Sequence, residues 1–232
     1  MEPGEGRAVA IVLAAGAGRR VGAEEPKAFL SIGGRPMLAV AAGAAAASPL
    51  VGAVIVAAPG GWEERAETCL EGCGVPVLVV TGGETRQASV RAALDAVSSE
   101  TSIVAIHDAA RPFAPPDLFT AVIAAVNQRT PGAVPVSPVA DTVKQVADGL
   151  VVGTLARELL ALAQTPQAFD VSVLRGAHRS AAEAGVVLTD DSAALEHDGL
   201  AVAAIPGDPN NVKITTLFDL ANADARMGGT GA

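Results

Sequence analysis

Three observations predict an α/β fold with a doubly wound, mostly parallel sheet. Apolar runs of strand length alternate with helical stretches along the chain. The apolar residues are mostly small aliphatics. The runs that end most distinctly end in glycine or charge. Strands alternating with helices require right-handed crossovers, which give parallel neighbours covered by helices on both faces. Half of the 232 residues are apolar, yet aromatics make up only 3% and tyrosine is absent. A core of Ala, Val and Leu suits strands buried on both sides. The length fits one domain, residues 1–232.

The strands are predicted at "AVAIVLAAG" from Ala8, "VGAVIVAAP" from Val51, "VPVLVVTGG" from Val75, "SIVAIHDAA" from Ser102 and "GAVPVSPV" from Gly132. All five read as buried on both faces. Between them "PMLAVAAGAAAASP", "WEERAETCLEGCG", "TRQASVRAALDAVSS" and "PPDLFTAVIAAVNQR" have helical spacing. Several of these begin at Pro, Thr or Asp and stop near Gly or Pro. Further on, "VSVLRGAHRSAAEAG" reads as a helix, and "TDDSAALEHDG" as one capped by Thr189 or Asp190 and ended by Gly199. "LAVAAIPG" is then a strand, and "TTLFDLANADARM" a last helix with a capping-box pair, Thr216 and Asp219.

One segment breaks the alternation. "DTVKQVADGLVVGTLAR" places two β-like runs around Asp148-Gly149, a two-residue hairpin signal. It is too polar for the core of a parallel sheet. It reads as a protruding β-hairpin arm, about residues 138–160, of the kind that docks on another subunit.

Charge excludes several classes of partner. With a net charge of −9, non-specific attraction to nucleic acid or an anionic membrane is not expected. No apolar stretch has the length of a bilayer span, and "MEPGEGRA" lacks a basic-then-apolar leader layout. Cys69 and Cys73, four apart on the expected second helix, read as buried reduced thiols, which points to the cytoplasm.

Ligands of doubly wound sheets gather at the carboxyl ends of the strands. Here those ends are "LAAGAGRR", "TGG" and "HDAAR". In the first, Gly16 and Gly18 give G-x-G, but Val21 stands where a dinucleotide fingerprint needs Gly or Ala. The following strand also lacks an acid for a ribose, and no Gly-Lys-Ser/Thr follows for a Walker loop. What remains is a small-residue loop whose N–H groups can approach an anion, followed by Arg19, Arg20 and Lys27. That pattern suits a triphosphate under substitution. A tight turn with solvated arginines fits the stretch equally well. Asp108 at a strand's carboxyl end can hold Mg²⁺ against phosphate oxygens, or can merely form a turn. Arg111 suits a second phosphate, and His107 reads as packed. "GGETRQAS" can floor a base or ribose, with Arg86 and Ser89 pointing inward, or can be a turn with a helix cap. Thr165, Thr189 and Lys213 each have an ordinary reading too: a loop residue, a cap and an edge-strand charge.

Taken in order, "AAGAGRRVGAEEPKAF", "GGETRQASVRAAL", "HDAARP", "DTVK", "QTPQAF", "TDDSAALE" and "NNVKIT" resemble the 2-C-methyl-D-erythritol 4-phosphate cytidylyltransferases of the non-mevalonate isoprenoid pathway. The resemblance runs from about Val9 to Asp219. It departs at Leu13, where the family often has Pro. It implies a Rossmann-like nucleotidyltransferase fold and a homodimer joined by the arm. It also implies attack of methylerythritol phosphate on the α-phosphorus of CTP with Mg²⁺, and no fused second enzyme. By the same resemblance, Arg20 and Lys27 stabilise the transition state and Asp108 binds the metal. Ala14, Ala15, Gly16, Gly18, Gly83, Glu84, Arg86, Ser89, Asp108 and Ala109 hold CTP. Arg111, Thr142, Arg157, Thr165, Thr189 and Lys213 hold the acceptor, with Thr142 and Arg157 completing the neighbour's site. Two other readings stand beside this one: a ribitol 5-phosphate cytidylyltransferase, and a non-catalytic nucleotide sensor.

Overall fold

In a computed structural model, which describes residues 8–16 and 25–228, the alternation of apolar runs and helical stretches becomes a mixed, mostly parallel sheet between two helical layers. The chain runs through β1 (Ala8–Leu13), β2 (Ser31–Ile32), β3 (Arg35–Pro36), α1 (Met37–Ala46), β4 (Val51–Ala58) and α2 (Glu63–Cys69). It continues through β5 (Val77–Thr81), α3 (Arg86–Asp95), β6 (Ile103–Asp108), α4 (Pro116–Ala125) and β7 (Gly132–Pro138). Next come β8 (Lys144–Ala147), β9 (Leu150–Thr154), β10 (Ala161–Ala163) and β11 (Gln167–Asp170). The chain then forms α5 (Val171–Glu183), α6 (Ser192–His197), β12 (Val202–Pro206) and α7 (Leu217–Gly228).

The main sheet has the order β10-β7-β11-β6-β1-β4-β5, with β12 also paired to β7. β1 pairs in parallel with β4 and β6, β4 with β5, and β12 with β7. Side-chain alternation along β1 sorts the core. Ala8, Ala10 and Val12 pack with Leu38 and Ala41 of α1 and Phe119 and Val122 of α4. Val9 and Ile11 pack on the other face with Val90 of α3, Leu174 of α5 and Leu195 of α6. A smaller cluster of Ile32, Met37, Ile214 and Ala223 lies under α7. The cap of α7 is reciprocal: Asp219 N–H donates to Thr216 Oγ1 and Thr216 N–H to Asp219 Oδ2.

Three expectations need correction. First, β5 is the sheet's edge and is only partly covered, with Leu78 48% exposed, because no strand lies beyond it. Second, β10 and β11 are strands that the apolar runs do not predict. β11 runs antiparallel between β6 and β7 and makes the sheet mixed. Gln167 obscured it in the sequence, yet its side chain is buried and satisfied, donating to Asp190 Oδ2 and accepting from Ser192 N–H. Third, α2 ends at Cys69, so Cys73 lies past it in a turn between Gly72 and Gly74. Both thiols are free and half-buried, and burial pushes both pKa values up. Of the two residues that could cap α6, Asp190 makes the bond, accepting from Ala193 N–H, while Thr189 is exposed; the helix itself starts at Ser192.

The hairpin is as the Asp148-Gly149 pair predicts, both residues taking positive φ, 50° and 78°. β8 and β9 form a separate two-stranded sheet. Its side chains face outward: Val146, Leu150, Val151 and Val152 are all exposed, as are Leu159 and Leu162 just after it.

Candidate active site

The carboxyl ends of β1, β4, β5 and β6 are stitched into one floor by main-chain bonds. Ala14 N–H donates to Ala57, Gly82 N–H to Ala58, and Ala109 N–H to Leu13. Ala14 and Ala109 are buried, Ala15 is half-buried, and Gly16 and Glu84 are exposed. The floor is drawn tight at Gly82, where a Cβ would meet the Cβ of Ala15 at 2.4 Å. Small residues are therefore a packing requirement here, since a side chain would push the β1 loop away from the β5 loop. Gly83 is braced by Ser89, whose buried Oγ accepts from Gly83 N–H at 3.1 Å and donates to Thr85 O at 2.9 Å.

Asp108, at the last position of β6, gathers two cations. Lys213 Nζ lies 2.6 Å from Oδ2, and Arg86 Nε 3.4 Å from Oδ1. Burial alone would raise the Asp108 pKa, but Arg86 and Lys213 outweigh it and hold it at about 2. Asp108 is therefore an ion-paired anion that also opens a turn, its carbonyl accepting from Arg111 N–H at 2.9 Å, and Lys213 lies outside the strands. Arg86 in turn donates through Nη2 to Asp191 at 2.6 Å. Its pKa is pulled down by burial and carried above its ordinary value by Asp191 and Asp108.

Next to Asp108, a chain of hydrogen bonds fixes Thr165. Asp108 N–H donates to Thr165 Oγ1 at 3.0 Å, and that hydroxyl donates to His107 Nδ1 at 3.1 Å. His107 Nε2 donates to Arg111 O at 3.0 Å. This pattern requires a neutral imidazole. Burial, opposed in part by Asp108, pushes His107 down to about 4. The Thr165 hydroxyl has one lone pair left, which suits accepting from a ligand hydroxyl.

Arg111 donates to the carbonyls of Asn211 and Ala163, at 2.8 and 3.2 Å, and so ties two segments of the site together. Asn211 is fully buried and donates to Gln164 Oε1 and Thr165 O. Lys27 starts a short 3-10 turn and donates its Nζ to the carbonyl of Ile214, beside Lys213. Lys27, Lys213, Asp108, Arg86 and Thr165 thus belong to one site. Thr189 stands exposed on the turn before α6. Thr142 and Arg157 are exposed at the base of the arm, where Arg157 donates to Ala140 O. Among the described residues, neither bonds to the Asp108 cluster. Gly18, Arg19 and Arg20 lie outside the described residues.

Sequence reasoning missed Gln164, Gln167, Asn211, Asp191 and His178, which hold the site's loops. Gln164, Gln167, Asp191 and Asn211 lie inside the quoted motifs; His178 carries no signal beyond a polar residue on the inner side of an amphipathic helix.

The family model for 2-C-methyl-D-erythritol 4-phosphate cytidylyltransferase matches residues 8–229. The enzyme of that name from Streptomyces coelicolor is 43% identical over 230 residues, covering 94% of this chain and 84% of the relative. Among solved structures, 4-diphosphocytidyl-2C-methyl-D-erythritol synthase from Anaerococcus prevotii is similar with a TM-score of 0.84 at 28% identity, covering 96% of this chain and 99% of that one. The cytidylyltransferase from Thermus thermophilus gives 0.78 at 35%, covering 95% and 98%. With its strand-end floor, its paired Asp108 and a match across nearly all its length, the chain belongs to the 2-C-methyl-D-erythritol 4-phosphate cytidylyltransferase family.

Proposed function

We infer that the chain joins methylerythritol phosphate to CTP, with a phosphate oxygen of the acceptor attacking the α-phosphorus and pyrophosphate leaving. The observation that carries this reading is the ion-paired cluster of Asp108, Lys213 and Arg86 beside a floor of backbone and small residues. The chemistry needs no base, because the attacking phosphate is already ionised at neutral pH. The site accords with that: Asp108 is held ionised with a pKa of about 2, and His107 is spent on hydrogen bonds through both nitrogens. Rate enhancement then comes from alignment and from cations placed where charge builds on phosphorus. Lys27 and Arg20 take that role. The backbone around Ala14, Ala15, Gly83 and Ala109 holds the nucleotide, and Lys213, whose side chain is 42% exposed, can turn from Asp108 to an acceptor phosphate.

Among the described residues, no three His, Cys, Asp or Glu side chains gather into a metal cage. A Mg²⁺ shared with nucleotide phosphates needs only one or two carboxylates, and Asp108 fits that requirement. Such an ion, when bound, neutralises charge on the triphosphate oxygens. The exposed apolar arm supports a homodimer in which Thr142 and Arg157 complete the partner's site. No described helix is long and apolar enough to cross a membrane, and the free thiols support a cytoplasmic setting.

Pyrophosphate release from CTP and Mg²⁺ with each acceptor in turn tests the reading. Release with methylerythritol phosphate is the expected outcome. Release only with ribitol 5-phosphate makes the chain the ribitol enzyme, and release with neither from folded protein makes it a nucleotide sensor.

A further inference from the structure

The turn before α6 carries two adjacent acids tied in opposite directions. Asp190 faces β11, its Oδ2 accepting from Gln167 Nε2 at 2.8 Å. Asp191 is fully buried and faces Arg86 of α3. Its Oδ2 accepts from Arg86 Nη2 at 2.6 Å and its Oδ1 from His178 Nε2 at 3.2 Å. Arg86 reaches on to Asp108 at 3.4 Å, and Asp108 to Lys213 at 2.6 Å. An unbroken path thus leads from α5 to the strand end.

The grip on Arg86 is uneven along this path. Its contact with Asp191 is short and charge-assisted, whereas its contact with Asp108 is long. The place of the guanidinium is therefore set by Asp191. Asp191 in turn cannot rotate, because each carboxylate oxygen has its own donor. His178 is buried in α5, and among the described residues its Nδ1 makes no hydrogen bond, so the polar contact it makes there is the bond that orients Asp191. The same turn presents Thr189, the candidate acceptor contact.

We propose that Asp191 and His178 are positioning residues of the transfer site, which act through Arg86 to align the Asp108 carboxylate and to lock the Thr189 turn in register with it. This rests on the reading that Asp108 and Arg86 lie at the nucleotide phosphates. Neither Asp191 nor His178 needs to touch a substrate.

A double-mutant cycle tests the proposal, with kcat and KM measured by pyrophosphate release from CTP and methylerythritol phosphate. Arg86→Gln and Asp191→Asn are each expected to lower kcat/KM by about 10- to 100-fold, the usual effect of losing a residue that orients a ligand-binding carboxylate. The double variant is expected within about threefold of Arg86→Gln alone, because the two share one path. Losses that multiply overturn the proposal, as does an Arg86→Gln variant with unchanged kcat/KM. Should Asp191→Asn fail to fold, His178 provides the same test. Gln places an amide nitrogen where Nε2 stands, so His178→Gln is expected to recover most of a roughly tenfold loss seen in His178→Leu. Equal losses in the two, or a fall in Tm with kcat/KM unchanged, overturn it. A wild-type enzyme without turnover on any acceptor overturns the functional reading and this proposal with it. Multiplicative losses in an active enzyme overturn this proposal alone.

Discussion

Lys27 and Lys213 come from distant parts of the sequence and meet at one segment, where Lys27 Nζ donates to the carbonyl of Ile214 while Lys213, the residue before it, pairs with Asp108. A cation held by a backbone carbonyl is already in place when negative charge builds on phosphorus, and this is where its effect on rate arises. Lys27→Ala and Arg20→Ala are expected to lower kcat on the order of 10²-fold or more in folded protein. Turnover close to wild type in either variant would remove that residue from the transition state. His107 gives a second prediction, on stability. Its pKa is about 4 folded against 6.5 as the ordinary value, because burial disfavours the charged ring. Between those values the unfolded chain binds a proton that the folded chain refuses. Stability attributable to His107 therefore falls as pH drops from about 6.5 to 4, by about 3 kcal/mol in all. Asp108, held at about 2, loses its contribution only from about pH 4 downward, outside that window. Urea midpoints of His107→Gln should fall less between pH 7 and 4 than those of wild type; parallel curves would show that His107 carries no such penalty.

At the level of elements, the hairpin of β8 and β9 has no buried residue of its own. Leu150 is 70% exposed, Val151 64% and Val152 58%, on a sheet with no third strand. Two-stranded ribbons are marginal alone, and an apolar patch of this kind marks a contact surface. Leu150→Asp with Val152→Asp should leave the unfolding free energy of the isolated subunit within about 0.5 kcal/mol, as for other surface changes. If the chain dimerises through this arm, as proposed, the same pair weakens subunit association, read by sedimentation. An unchanged dimer would place the interface elsewhere.

For the whole molecule, the separation of Arg157 and Thr142 from the Asp108 cluster becomes a statement about assembly. If the arm of one subunit completes the site of the other, an Arg157→Ala subunit and a Lys27→Ala subunit are each deficient in a different part. A mixed dimer then holds one site with both residues intact, and mixing the two inactive variants should restore part of the activity. Proven subunit exchange without recovery would mean that each site is built from one chain.

The sequence by itself determined the layers, the hairpin and the neighbourhood of the site. Strand-length apolar runs dictate the parallel sheet, Asp148-Gly149 dictates the turn, and strand ends rich in glycine and charge can gather only at one edge of a doubly wound sheet. The resemblance carried by seven short motifs named the chemistry. Tertiary structure alone decided which polar groups meet. Gln167 in β11 looks like a loop residue until its partners on the turn before α6 are seen. Thr165 looks like a free hydroxyl until Asp108 and His107 engage it. Asp191 and His178 gain meaning only because Arg86, from α3, lies between Asp191 and Asp108. The physical reason is the same in each case. A hydrophobic pattern is written locally in a periodic chain, whereas a buried polar group is satisfied by partners that only the finished packing brings within reach.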